Sequence, residues 1–221
     1  MKKVTIITGH YGCGKTNISV NLALDLAKSG EKVTVVDLDI VNPYFRTADF
    51  SNLFSDHNIN LITPMYANSN LDIPAISFDI ERLTNEDGYL IIDVGGDDSG
   101  STALGRYKSV FDRLSLTNDI AMLYVINKYR LLTKTPEEAI ELMREIEYTA
   151  RFKHTGIINN SNLGEETDIQ AVLDSLDYAD SVSKETALPV VFTSSPCEFE
   201  CERTNIRIIK RYVKALWEPD N

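Results

Sequence analysis

The segment Gly9-His10-Tyr11-Gly12-Cys13-Gly14-Lys15-Thr16 leaves this chain fewer possible folds than any other part of it. Three glycines within it permit backbone turns with positive φ that other residues resist. The run before it, Val4-Thr5-Ile6-Ile7-Thr8, is short, apolar and β-branched, as suits a strand buried on both faces. After it, Ile18, Leu22 and Leu26 recur at helical spacing, with Val20, Leu24 and Ala27 on the adjoining edge. That pattern predicts a helix over residues 15–29, stopped by Gly30. Strand, glycine loop and helix together satisfy the G-x-x-x-x-G-K-[ST] pattern in the context its chemistry requires. Loop N–H groups would curl around the β- and γ-phosphates of a nucleotide, and the helix N-terminus would add positive potential. Lys15 is expected to bridge those phosphates, and the Thr16 hydroxyl to hold Mg²⁺. The expected nucleotide contacts in this stretch are Gly9, His10, Tyr11, Gly12, Cys13, Gly14, Lys15, Thr16 and Asn17.

The rest of the chain alternates in the same way. Apolar runs at residues 33–36, 89–92, 120–126, 155–158 and 189–192 read as further strands. Residues 136–150 read as a helix, with Pro136 in its first turn, Glu137 and Glu138 at its positive end, and Ile140, Met143 and Ile146 facing inward. Two more helices are expected at roughly 167–186 and 201–217. Alternating strands and helices pair in parallel with right-handed crossovers. The expected fold is therefore α/β, a three-layer P-loop NTPase fold with a mostly parallel sheet and helices on both faces. It is read as a single nucleotide-binding domain over residues 1–221. Functional residues of such sheets gather at the carboxyl ends of the strands.

Two strand ends carry acids. Ile91-Ile92-Asp93-Val94-Gly95-Gly96 ends an apolar strand on an aspartate that would hold Mg²⁺, while the Gly96 backbone approaches the γ-phosphate. Asp37-Leu38-Asp39 ends the second strand, and its carboxylates fall on alternate sides of the backbone. One of the pair would orient the attacking water; the alternative is that both are strand-end carboxylates accepting turn N–H bonds.

The order of these motifs resembles the MinD/ParA-type ATPases of the SIMIBI class of P-loop proteins. Asn21-Leu22-Ala23-Leu24 is similar to that family's first helix, and Gly156-Ile157-Ile158-Asn159-Asn160 to its strand ending in an adenine-contacting Asn. The resemblance implies ATP and Mg²⁺ as cofactors, with Lys15, Asp39 and Asp37 as the catalytic set. Within it Asp39 is the water-positioning residue, and Gly96, Asn160 and Pro196 join the nucleotide contacts. It also implies an ATP-dependent homodimer acting as a switch on a protein partner. One position departs: where such ATPases carry a signature lysine that crosses the dimer, this chain has His10, and Arg46 or Arg106 would have to supply the charge.

Several segments admit competing readings. Asn127-Lys128-Tyr129-Arg130 begins like the guanine-reading N-K-x-D, but Arg130 replaces the carboxylate that accepts from guanine, which argues against GTP selectivity. Cys197 and Cys201, read as one helical turn apart, offer half a soft-metal site and hence a metallochaperone-type alternative. A small-molecule kinase or ligase of the same class is a further alternative. In the last expected helix, Arg203, Arg207, Lys210, Arg211 and Lys214 oppose Ile206, Ile209, Val213 and Leu216. A sheet-covering helix with a basic outer face is preferred there to a membrane-surface helix.

A formal charge of −11 repels phosphate backbones, so nucleic acid is not an expected partner. Met1-Lys2-Lys3 runs straight into the first strand without a leader-like segment. Three cysteines form no disulfide framework, and a cytoplasmic setting is expected.

Overall fold

The computed structural model describes residues 1–39, 47–63, 79–96 and 98–213. Among them eight strands form one sheet: β1 (Val4–Gly9), β2 (Val33–Leu38), β3 (Asn60–Ile62), β4 (Tyr89–Val94), β5 (Ile120–Ile126), β6 (Gly156–Asn159), β7 (Val190–Ser195) and β8 (Ile206–Ile208). Their spatial order is β3-β2-β4-β1-β5-β6-β7-β8, and every neighbouring pair is parallel. Asp37 of β2 and Asp93 of β4 stand in register, so the two acids share one level at the carboxyl end of the sheet.

Side-chain alternation along the strands builds two apolar layers. Ile7, Val35, Ile91, Leu123 and Val125 point to one face, where they meet Ile18, Leu22 and Phe54 from α1 (Lys15–Lys28) and α2 (Ser51–Asp56). Ile6, Val36, Ile92 and Met122 point to the other. There they meet α3 (Ile80–Asn85), α4 (Asp98–Gly105) and α5 (Lys108–Leu116) through Leu83, Leu104 and Phe111. Further along that face, Tyr124, Ile126 and Ile157 pack on α6 (Pro136–Ala150) and α8 (Leu176–Thr186). Helices on both faces explain why β1 and β5 are apolar without alternation and buried throughout. The three-layer α/β arrangement read from the sequence is the one found. Helix α6 has the expected bounds, set by a capping box between Thr135 and Glu138 and by Pro136 in the first turn.

Two expectations are corrected. Residues 167–186 hold two helices, α7 (Ile169–Asp174) and α8, joined at Ser175. Residues 201–213 contain no helix: Ile206–Ile208 is a strand added to β7, and Ile209 N–H donates to Ser195 C=O at 2.9 Å. Both helical readings of that segment, sheet-covering and membrane-surface, therefore fail over the described residues, and Lys214 and Leu216 lie outside them. The backbone partners of this segment are β7 and side chains of α1, none of them local in sequence. No described helix is long and apolar enough to cross a membrane.

Beneath the sheet, His154 is fully buried between β1 and α6. Its backbone N–H and Nδ1 lie 2.9 and 3.2 Å from Glu147 Oε1, and its Nε2 is 2.7 Å from Thr8 Oγ1. An ionised carboxylate only accepts, so Nδ1 carries the hydrogen and Nε2 accepts from the Thr8 hydroxyl. Lys153 Nζ donates to Glu147 Oε2 at 2.5 Å. Burial alone would raise the Glu147 pKa, but the hydrogen bonds from His154 and Lys153 outweigh it and hold the carboxyl down to about 2. Burial lowers the His154 pKa despite Glu147 beside it.

Both groups make the unfolded chain bind more protons in acid than the folded one. Stability is lost as pH falls below 6.5 through His154, and again from 4.5 towards 2 through Glu147. Chemical denaturation across this range should show the decline, and Glu147→Gln should flatten its lower limb while lowering stability at pH 7.

Candidate functional site

Between β1 and α1 the loop turns on three left-handed glycines, Gly9 (φ 147°), Gly12 (φ 74°) and Gly14 (φ 91°). Space as well as φ requires glycine at two of them. A Cβ on Gly9 would sit 2.5 Å from Val125 C=O, and one on Gly14 would sit 2.3 Å from Asn160 Nδ2. Gly14 caps α1 and supplies no side-chain acceptor of its own, leaving the positive end of the helix facing the loop.

The Lys15 side chain is buried and its ammonium donates to His10 C=O at 3.2 Å. Gly96, from the end of β4, lies against the same group: a Cβ there would be 2.9 Å from Lys15 Nζ and 2.6 Å from Tyr11 N. Asp93 is buried beside Thr16. Its carboxylate accepts from Ser19 Oγ at 3.1 Å, from Thr47 Oγ1 at 2.5 Å, and from the Thr16 hydroxyl. Burial raises its pKa more than these donors and Lys15 lower it.

The acid pair of β2 divides. Asp37 Oδ1 accepts the Asp39 N–H at 2.9 Å, the turn-accepting role that the alternative reading gave to both acids. Asp39 instead lines a cleft of about 630 Å³ together with Lys15 and Thr16. Tyr11, Gly12, Gly14, Asn17, Asn160 and Pro196 also line it, whereas Gly9, His10, Cys13, Asp37, Asp93 and Gly96 do not. Asn160 braces the loop from the far side, donating to Cys13 C=O at 2.8 Å and accepting from Ser194 Oγ at 2.6 Å.

Asn17, besides lining the cleft, holds a second segment of the chain. Its side chain donates to Lys210 C=O at 3.1 Å and accepts from Tyr212 N–H at 2.8 Å. Asn21 closes a two-way pair with Lys210, donating to C=O at 2.8 Å and accepting from N–H at 2.9 Å. Two helix asparagines thus hold an extended segment as a strand neighbour would. Through it Ile209, Arg211 and Val213 become a wall of the cleft. Nothing local in the sequence signalled that wall. Tyr129, Arg130 and Asn162 were also missed as lining residues, although their positions just after β5 and β6 mark them as strand-end residues.

The Asn127 to Arg130 loop is built from within. Asn127 Oδ1 accepts from Tyr129 N–H at 3.0 Å and Asn162 N–H at 3.3 Å, and Lys128 Nζ reaches Asp174 C=O at 2.7 Å. Burial, then Lys15, then Arg130 lower the His10 pKa, so its ring is neutral at pH 7. Arg106 follows α4 and acts on the Tyr107 hydroxyl, and Arg46 lies outside the described residues. Cys197 and Cys201 fall in the loop between β7 and β8, not on a helix turn. No cluster of metal-binding side chains occurs among the described residues. A second hollow of about 780 Å³ runs along α1 and β8, bridged by an Arg207–Asp25 ion pair, away from the strand ends that carry the loop.

A glycine loop feeding a helix from the central strand of a parallel sheet, with a buried aspartate on the adjoining strand, defines a P-loop NTPase. The family model of the CobQ/CobB/MinD/ParA nucleotide binding domain matches residues 4–184, and the chain belongs to that family. Among solved structures it is similar to FtsY of Mycoplasma mycoides, with TM-score 0.59 and 18% identity over 87% of this chain and 59% of that one. It is also similar to the signal recognition particle 54 kDa protein of Aeropyrum pernix in complex with GDP, with TM-score 0.55, 18% identity, and 87% and 41% coverage. A third is FlhF complexed with GTP and Mg²⁺, with TM-score 0.53, 13% identity, and 87% and 65% coverage. These likenesses show the fold alone, and the chain spans only about 59% of the first of them. A protein of Methanocaldococcus jannaschii described as an uncharacterized ATP-binding protein is 57% identical over 37 residues, 17% of this chain and 14% of that one.

If Asn21 holds the cleft wall as its bonds imply, Asn21→Ala leaves backbone groups of Lys210 without that partner. Thermal or urea unfolding should register a loss of about 1–3 kcal/mol.

Proposed function

We propose that this protein is an ATP-binding, Mg²⁺-dependent ATPase that acts as a nucleotide-driven switch on a partner protein, the chain working as one nucleotide-binding domain. The observation that carries the reading is the division of the acid pair, with Asp39 on the cleft beside Lys15 and Thr16 while Asp37 ties its own turn. Phosphoryl transfer to water needs a positioned acceptor and charge stabilisation more than covalent help, and Asp39 is the acid exposed to that space. Lys15 carries charge for the phosphates, and the glycine-capped N-terminus of α1 offers N–H donors. Thr16 and Asp93 supply a hydroxyl and a carboxylate in mutual contact, an oxygen donor set suited to Mg²⁺, which would neutralise phosphate charge when bound. Three free thiols fit a reducing cytoplasm.

Adenine is favoured over guanine because the run Asn127-Lys128-Tyr129-Arg130 lacks the carboxylate that would accept from guanine, and Asn127 is engaged with its own loop. The description of the Methanocaldococcus relative as ATP-binding points the same way. Calorimetric titration should give ATP binding at least about tenfold tighter than GTP, ~1.4 kcal/mol. Lys15→Ala should remove detectable triphosphate binding. Equal or reversed affinities for the two nucleotides would sink the assignment.

Turnover separates the two acids. Asp39→Ala should keep ATP bound while losing hydrolysis by about 10²-fold, and Asp37→Ala should act through stability of the β2 turn. The same Asp39→Ala protein, sedimented with ATP, should form the homodimer this reading includes. Exposed Tyr11, Leu131 and Leu132 beside the loop are the surface available for it. With His10 neutral, basal turnover is expected to be slow. Wild-type hydrolysis by Asp39→Ala would assign the water to another group.

A further inference from the structure

His10 leaves the loop without the second cation that the resemblance to MinD-type ATPases led one to expect, yet the described structure does place a second cation on it. A Cβ on Gly12 would lie 3.3 Å from Arg130 Cζ and Nε and 3.6 Å from Nη1, so the guanidinium packs directly on the loop. Its charge reaches both His10 and Cys13, the same two residues that feel Lys15. The backbone that carries it is fixed: Arg130 N–H donates to Asn127 C=O at 3.2 Å, and Thr133 N–H donates to Arg130 C=O at 3.1 Å. Thr133 Oγ1 closes the same turn on Asn127 C=O at 2.8 Å. The other arginine of the cleft wall, Arg211, is paired with Glu165 at 3.3 Å. Among the described residues no carboxylate pairs with Arg130, although the molecule as a whole is strongly acidic.

We propose that Arg130 is a phosphate-binding residue of the nucleotide site, presenting its guanidinium in cis to the polyphosphate held by Gly9 to Thr16. A guanidinium offers several N–H donors in a fixed fork, which suits phosphate oxygens. Its place against Gly12 puts it at the glycine segment whose N–H groups the nucleotide reading assigns to phosphate. The proposal rests on the reading of this cleft as a nucleotide site. It replaces the need for Arg46 or Arg106 to cross a dimer interface with a charge that each subunit already owns.

Calorimetry of the full chain and of Arg130→Ala and Arg130→Lys, with ATP, ADP, AMP and GTP, tests it, with thermal melting to verify folding. Arg130 is exposed, so both variants should melt with the wild type. Arg130→Ala should weaken ATP about tenfold or more, ADP less and AMP least, with the ATP-to-GTP ratio unchanged and a shallower salt dependence. Arg130→Lys should fall between. An equal loss for ATP, ADP and AMP with a changed ATP-to-GTP ratio would overturn the proposal in favour of base contact. Unchanged ATP affinity would overturn it in favour of mere packing. Failure of the wild-type chain to bind ATP at all would remove the nucleotide reading itself, which is a separate result.

Discussion

Where β1 ends, the backbone must turn through space that Val125 C=O and Asn160 Nδ2 already occupy, and only a missing Cβ lets it pass. The contacts that impose this come from β5 and the end of β6, two strands on one side of β1. On the other side, Gly96 at the end of β4 closes to within Cβ distance of Tyr11 and Lys15. The loop is therefore clamped between three strand ends, and its shape depends on sheet order more than on its own residues. That order places the Asp93 carboxylate under Thr16 and brings Asp37 level with it. A sheet with the same strands in another sequence would carry the same motif without a site.

What could be read from the chain and what could not follow from how far each determinant reaches. Residues 120–126 and 136–150 were legible to the residue because a doubly buried strand is continuously apolar and a capped helix carries its own stop signals. The acid pair was legible as a pair, since alternation forces its members apart. Which member faces the cleft depends on the Asp39 N–H bonding back to Asp37, a choice of turn that composition does not encode. Residues 201–213 misled because Ile206, Ile209 and Val213 fall at helical spacing, while Ile206 pairs with Thr193, Ile209 bonds Ser195, Lys210 bonds Asn21, and Tyr212 and Val213 bond Asn17. Asn17 and Asn21 look like ordinary members of a helix face until the segment they bind is in place.

Helix α1 is bonded to the segment Lys210 to Val213 that follows β8. Gly14 to Asn21 carry, within two turns, the loop's last glycine, Lys15, Thr16, the Ser19 hydroxyl on Asp93, and both asparagines that hold the wall. A displacement of α1 caused by phosphate at its N-terminus would move that wall with it, because the bonds to Lys210 and Tyr212 are made by side chains of the same helix. Such a linkage between α1 and the cleft wall is what the proposed nucleotide switch would use.

Charge sets the remaining condition. A molecule with formal charge −11 repels a polyanion over its whole surface, so affinity for a nucleotide must come from a few local groups. Burial makes His10 neutral and holds Asp93 in contact with hydroxyl donors, and Arg211 is already paired with Glu165. Among the described residues of the cleft, Lys15, the α1 N-terminus and, on the proposal above, Arg130 are placed to attract phosphate. A buried cation and helix end are fixed contributions, whereas an exposed guanidinium is screened by salt. The balance between them decides whether the site works as a tight store of nucleotide or as one that exchanges it readily.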